Sequence, residues 1–418
     1  MIFKNKLCFY SIITFFIVYS VFPLHCFSSE LDVSDSYNFN HLEVSASATN
    51  PPALNSRSAI VLEKSTGTIL FGKNENDIRK MASTTKIMTA IVVLENTPDL
   101  SEIVIISKKA ASIGGSRLGL SFNSKVSVKD LLYGLLLCSG NDSAIALAEF
   151  IGGNVESFSN LMNKKALSLG LTNTHFVTPH GLDDDNHYTT AYELALLTKY
   201  ALENKVFSEI VSTRSYSVTI NGNTKTINNT NELLGYLNGV YGVKTGFTNG
   251  ANRCLVTACK REDLDIICIV LGADTKKFRT QDSIKLIEYA FSNFEMIDIN
   301  SIIEKDFSQW QSLSTFSINK GISNNLETLL EAFPFSKYPV HKTDIKNIST
   351  NIYCSYSFEA PLLCDTKIGV LDCYIGNLKI CSLNIYSTNT IEKKSPLFYF
   401  NSFIYNYSIH LEKIFSTS

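Results

Sequence analysis

Three clusters of residues in this chain carry groups able to do covalent chemistry. The first is Ala82-Ser83-Thr84-Thr85-Lys86, followed at once by the apolar run Ile87 to Leu94. Ser83 and Lys86 are spaced i, i+3, which on a helix sets both side chains on one face with about 5–6 Å between Cβ atoms, so the amine can reach the hydroxyl. The run has no polar stripe, so the helix should be buried, and a charged amine inside it is costly unless it has a task or a partner. A serine hydroxyl is a poor nucleophile until a base takes its proton, and Lys86 is the adjacent candidate. To be neutral near pH 7 its pKa must fall by about 3 from 10.4, at a cost of about 4 kcal/mol. Burial and a nearby like charge both push that way. At a helix N-terminus, Ser83 also has backbone N–H groups and the positive end of the dipole around it, which suit a developing oxyanion.

The second cluster is Ser139-Gly140-Asn141, at a break between two helical patterns, and the third is Lys244-Thr245-Gly246 on a strand. Ser139 can relay a proton between Lys86 and a leaving amine, while the Asn141 amide can hold a substrate peptide group. Lys244 can supply the like charge. Gly246 lacks a Cβ, so a substrate backbone can lie along its strand as an added strand. Each triplet alone is weak: Ser-x-x-Lys recurs at Ser317/Lys320, and Ser-x-Asn at Ser121/Asn123 and Ser349/Asn351. The three in this order are the motif set of penicillin-interacting serine acyl-transferases.

The elements that must position these groups can be read from periodicity. Ser58 to Glu63 and Thr68 to Phe71 form a hairpin that leads into the Ser83 helix. Helical stretches fill Lys129–Leu137, Ser143–Ile151, Ser157–Leu169 and a segment opened by Thr190-Ala-Tyr-Glu193, which has capping-box spacing. Tyr216 to Ile220, Val240 to Thr245, Cys254 to Cys259 and Asp265 to Leu271 read as strands, the last continuously apolar as a strand covered on both faces should be. Ser283 to Phe294 closes this region as a helix. The expectation is an α/β (α+β) domain, an antiparallel sheet flanked by helices with a helical subdomain, over 57–295. Beyond it, short β-leaning runs predict a small all-β domain over 296–390.

The flanks carry their own signals. Residues 1–28 have a positive start and the apolar run Leu7 to Leu24 of an export signal, with an uncleaved anchor as the alternative. Residues 29–56 have the Ser-, Asn- and Asp-rich composition of a linker. The tail 391–418 is rich in aromatic and aliphatic residues and reads as an interfacial membrane helix, the alternative being a helix packed on the β domain.

Longer stretches extend the pattern. MASTTKIMTA, LLLCSGNDSAIALAEFIGG, THFVTPHGLDDDNHYTTAYELA, GVKTGFTNGANRCLVTACKR and SFEAPLLCDTKIGVLDCY resemble the low-molecular-weight penicillin-binding proteins that act as serine-type D-Ala-D-Ala carboxypeptidases. The resemblance runs from about residue 57 almost to the end, departing at Asn252-Arg253, where the family commonly has Gly and an aromatic residue. It implies an exported hydrolase at the outer face of the cytoplasmic membrane or cell wall. Ser83 would attack the penultimate D-Ala carbonyl of peptidoglycan stem peptides, β-lactams would acylate Ser83, and no cofactor would be needed. It also implies oxyanion donors at the backbone N–H groups of Ser83 and Phe247, and binding of the substrate's terminal carboxylate by Arg279 beside Thr245. For Arg279 a surface pair with Asp282 is the alternative. A D,D-endopeptidase, a β-lactamase or a catalytically silent wall-binding module are the rival functions. For a lactamase, Glu193 lacks the Glu-x-x-Leu-Asn setting of a deacylating glutamate.

Composition excludes other classes. A net charge of −2 with no long basic block argues against nucleic acid, whose phosphates demand a basic surface. There is no Cys-x-x-Cys or His-Glu-x-x-His spacing, so zinc is not indicated. His180, Asp183, Asp184, Asp185 and His187 read as a polar loop. Cys138 and the seven cysteines after it are expected to be mostly free. A two-residue turn at Gly376-Asn377 would place Cys373 opposite Ile380, and only a three-residue loop with a bulge would bring Cys373 to Cys381.

Overall fold

The computed structural model describes residues 50–416; the export segment and most of the linker, residues 1–49, lie outside the described residues. Five antiparallel strands form the central sheet: β1 (Ser58–Glu63), β2 (Ile69–Lys73), β3 (Val240–Thr248), β4 (Asn252–Arg261) and β5 (Leu264–Ala273), in the order β2-β1-β5-β4-β3. Strict alternation along β1 and β5 sends Ile60, Leu62, Ile267 and Ile269 to one face and Ala59, Val61, Ile266 and Val270 to the other. Helices cover both faces, which is why β5 reads as an unbroken apolar run.

On the first face lie α1 (Lys86–Asn96), α2 (Val128–Leu136), α3 (Asn141–Gly152), α4 (Val155–Ser168), α5 (Ala191–Glu203) and α6 (Lys205–Ser212). On the second lies α7 (Lys276–Asn293), which packs Ile284, Ile287 and Ala290 against the sheet. It starts seven residues before the expected Ser283, because the Thr275 hydroxyl accepts from Phe278 N–H and caps it there. Residues 53–56 are not a free linker. Ser56 N–H donates to Asp282 at 2.7 Å, and Lys285 donates to the Ala53 carbonyl, so the chain is fastened to α7 before β1 begins.

The C-terminal region has its own core around Leu371, Cys373, Leu383 and Ile385. Its sheet runs β6 (Thr328–Leu330), β9 (Leu378–Ser387), β8 (Lys367–Ile375), β7 (Ile348–Cys354). One helix there was not anticipated: α8 (Ile299–Leu313), capped by Asp298, adds Ile299, Ile303 and Phe307 to that core. The β8–β9 turn is the two-residue one at Gly376-Asn377, but a bulge between Cys373 and Tyr374, where Ile380 is the extra residue of β9, shifts the register so that Cys373 lies opposite Cys381. The expected Cys373–Ile380 pairing is thus corrected by one residue, and both thiols are free, as are the other described cysteines. The tail forms α9 (Pro396–Ser416), preceded by residues still bound to the β domain: Ile391 is buried and bridges to Leu362, and Lys393 bridges to Gly321.

Candidate active site

Ser83 lies in a single 3₁₀ turn, Ala82–Thr85, that runs straight into α1. Ala82 has φ +48°, and the turn is wedged between two glycines. A Cβ on Gly181 (φ +85°) would collide with the Ala82 carbonyl, and one on Gly246 would lie 3.2 Å from Ala82 Cβ, the Met81 carbonyl and Ser83 N. Gly246 therefore lets β3 approach the nucleophile's own N–H, a closer constraint than room for a substrate strand.

Lys86 is wholly buried, and Ser83 is nearly so. Lys86 Nζ lies 2.8 Å from Ser83 Oγ, 2.7 Å from Asn141 Oδ1 and 3.0 Å from the His180 carbonyl. The Asn141 Nδ2 donates to the Gly114 carbonyl at 2.8 Å, so in this structure both ends of its amide serve the protein. Ser139 sits in the α2–α3 break with φ +62°, buried, at the wall of the cleft. Behind it, the buried Asp142 carboxylate accepts from the N–H groups of Leu118, Gly119, Leu120 and Ser143, which ties the 114–120 loop to the start of α3. Asp142 was missed from the sequence, although its place one residue after Asn141 was the available signal.

β3 is the edge strand, and its Thr245, Gly246 and Phe247 line the cleft. Lys244 shares its pleat face with Gly246, the position that abuts Ser83 N; it is buried, and Nζ donates to the Thr245 carbonyl at 2.9 Å. The Thr245 and Thr230 hydroxyls are 2.7 Å apart. Phe247 is covered by Arg253, whose guanidinium carbon is 3.6 Å from the ring centroid, so the departure at Asn252-Arg253 falls on the rim.

The cleft, about 370 Å³, is lined by these groups together with Ser116, Asn229, Glu232, Lys276 and Arg279. Arg279 is not a surface residue paired with Asp282. It is buried, with Nη2 on Glu232, while Asp282 accepts from Ser56. Burial pushes the Glu232 carboxyl up, but the Arg279 charge and hydrogen bonds from Lys276 and Thr280 outweigh it and hold the group below the usual carboxylate range. Glu232 and Lys276 carry no motif, and only the fold brings them here.

The 174–187 loop supports the floor. Burial, then the Lys86 charge, lowers His180 to about 3, and burial lowers His187 to about 4. His187 Nδ1 accepts from Val177 N–H, so Nε2 carries the proton and donates to Thr85 Oγ1 at 2.7 Å. Among the described residues no cluster of three or more His, Cys, Asp or Glu could hold a metal ion. Cys138, its thiol pushed up to about 11 by burial, donates to the Gly134 carbonyl.

Glu193 is remote in role. Its carboxylate accepts from Asn173 N–H and Thr174 Oγ1, and the capping half of its expected box comes from Thr190 accepting from Glu193 N–H.

Comparisons with known proteins bear on the family and the fold. A family model described as D-alanyl-D-alanine carboxypeptidase matches residues 45–275. The D-alanyl-D-alanine carboxypeptidase DacF of Bacillus subtilis is 34% identical over 328 residues, 77% of this chain and 82% of that protein. The crystal structure of penicillin-binding protein 5 from Haemophilus influenzae aligns with a TM-score of 0.67 at 28% identity, covering 83% of this chain and all of the other. The Streptomyces K15 DD-transpeptidase aligns with a TM-score of 0.56 at 34% identity, over 58% of this chain and 99% of that one. On the motif residues, their convergence in one cleft and these matches, the chain belongs to the D-alanyl-D-alanine carboxypeptidase family of serine peptidases.

Proposed function

We propose that this protein removes the terminal D-Ala from peptidoglycan stem peptides through an acyl-enzyme on Ser83, and that β-lactams acylate the same oxygen. One observation carries the reading: Lys86 Nζ, wholly buried, lies 2.8 Å from Ser83 Oγ with two further oxygens on it. A neutral amine can give its two N–H bonds to Asn141 Oδ1 and the His180 carbonyl and aim its lone pair at the Ser83 hydroxyl. After the proton moves, the ammonium donates to all three oxygens, so neither state leaves a buried polar group unsatisfied.

The substrate strand lies antiparallel or parallel to the free edge of β3 at 245–247, and its carbonyl oxygen enters between the N–H groups of Ser83 and Phe247. Ser139 passes a proton to the leaving amine, Lys244 adds positive charge beside the cleft, and Arg279 with Thr245 receives the terminal carboxylate. Asn141 acts here by holding Lys86. Water then resolves the ester.

Two observations favour a carboxypeptidase over a β-lactamase. Glu193 is committed to Asn173 and Thr174, and the one carboxylate lining the cleft, Glu232, is held by cations. We further propose export, with attachment to a membrane surface by α9, whose Leu397, Phe400, Phe403 and Tyr405 are exposed. Among the described residues no helix is long and apolar enough to cross a membrane.

The test is release of free D-Ala from a peptide ending in D-Ala-D-Ala, with Ser83→Ala as control and mass spectrometry of a β-lactam adduct. Release by the native protein alone, with the adduct on Ser83, is expected. Equal release by both proteins, or an adduct on another residue, overturns the reading.

A further inference from the structure

Glu232 stands out as the one carboxylate among the residues lining the cleft. It is presented by a stiff segment. Asn229 Nδ2 donates to the Val211 and Thr213 carbonyls, Asn231 N–H donates to Asn229 Oδ1, and Asn231 Nδ2 donates to the Gly242 carbonyl of β3. Three groups from the first turns of α7 converge on it: Arg279 Nη2, Lys276 Nζ at 2.8 Å and Thr280 Oγ1 at 2.8 Å.

Arg279 is only half satisfied by this. Its Nε is buried and has no hydrogen-bond partner among the described residues. A guanidinium binds a carboxylate best through two parallel N–H donors. Glu232 engages Nη2, and the buried Nε–H has no acceptor among the described residues, so Glu232 is the group that fixes how this guanidinium is turned at the cleft wall. With Arg253, Lys276 and Arg279 set against Glu232, the cleft remains net positive while Glu232 is ionised. Attraction of an anion is therefore already provided for; what Glu232 adds is orientation of a long side chain that would otherwise sample several rotamers.

We infer that Glu232 is a positioning residue for the carboxylate end of the substrate: it anchors Arg279 and Lys276 so that the guanidinium meets a terminal carboxylate in one fixed orientation. The inference rests on the carboxypeptidase reading of this cleft.

The experiment compares Glu232→Ala and Glu232→Gln with the native protein on one peptide in two forms, ending in D-Ala-D-Ala as the free acid or as the C-terminal amide. For the acid, Glu232→Ala should raise KM about tenfold with kcat within about twofold, and Glu232→Gln, whose amide oxygen still accepts, should raise it less. For the amide, which has no carboxylate to orient, kcat/KM should not change. Stoichiometric β-lactam labelling of Ser83 certifies the fold of each variant, and if the alanine variant fails to label, the glutamine variant decides by the same comparison. A KM for the acid that is unchanged, or that falls because Glu232 was a competitor, overturns the inference, as does an equal loss on acid and amide. If the native protein releases nothing from the acid peptide, the carboxypeptidase reading itself fails, a result distinct from any difference among the variants.

Discussion

At the scale of single residues, the site works by contacts that tolerate little change. Lys86 has no solvent to fall back on, so the protein groups around it, Ser83 Oγ, Asn141 Oδ1 and the His180 carbonyl among them, set both its position and the cost of charging it. Lys86→Ala should slow acylation of Ser83 by about 10²–10⁴-fold, the usual worth of a positioned base, measured as the rate of β-lactam labelling. Labelling at the native rate would remove Lys86 from the chemistry. Gly246→Ala adds a methyl 3.2 Å from Ser83 N and Ala82 Cβ. Overpacking of this kind costs about 1–3 kcal/mol, and here it is felt where the oxyanion is to sit. A drop in acylation rate of about tenfold or more is expected together with a Tm lower by several degrees; a fall in Tm with an unchanged rate would place the strain elsewhere.

At the scale of elements, the 174–187 loop holds the nucleophile's turn from below through His180 and His187, both buried and neutral. Their folded pKa values, about 3 and about 4, lie below the unfolded value of about 6.5. Between those limits the unfolded chain binds more protons than the folded one, so stability is complete above about pH 6.5 and is lost as pH falls toward 4. For His187 alone the loss is about 3 kcal/mol at the acid end of the window. Thermal unfolding from pH 7 to 4 should show a falling Tm, and His187→Gln should start lower and fall less steeply. A variant profile parallel to the native one would assign the acid loss to other groups.

At the scale of the whole molecule, the sheet-and-helix cores and the C-terminal core are separate sets of side chains. They meet where Phe294–Ile297 pairs with Tyr338–His341, where Lys342 donates to the carbonyls of Phe291, Ser292 and Asn293 at the end of α7, and through the exposed Lys337–Asp263 ion pair, itself of the kind worth less than about 1 kcal/mol. A chain ending at residue 297 should therefore still be labelled by a β-lactam at a rate within about twofold of the intact protein. Loss of labelling in a folded truncation would show that the β domain shapes the cleft. If α9 anchors the chain as proposed, removing residues 396–418, which spares Ile391 and Lys393 in the β domain, should release the protein from membranes in a sedimentation assay. Unchanged partitioning would refute the anchoring role of α9.

Local pattern alone was enough for the strand alternation, the Ser83–Lys86 spacing, the Ser139 break and the order of the three motifs, because each depends on residues within one turn or one pleat of each other. The start of α7 escaped because its cap, Thr275, opens a stretch whose apolar periodicity is weak, whereas α8 carried a readable signal, Ile299, Ile302, Ile303, Phe307 and Trp310 at helical spacing behind the Asp298 cap, that the short β-leaning runs around it masked. The one-residue bulge beside Cys373 escaped because register answers to packing on both faces of a hairpin, which no turn sequence specifies. Tertiary structure decided what surrounds each motif: Glu232 on Arg279, Asp142 under the 114–120 loop, and the Asn141 amide turned toward Lys86 instead of the cleft. A buried charge or amide takes the partner that folding brings within about 3 Å, and that partner can come from anywhere in the chain.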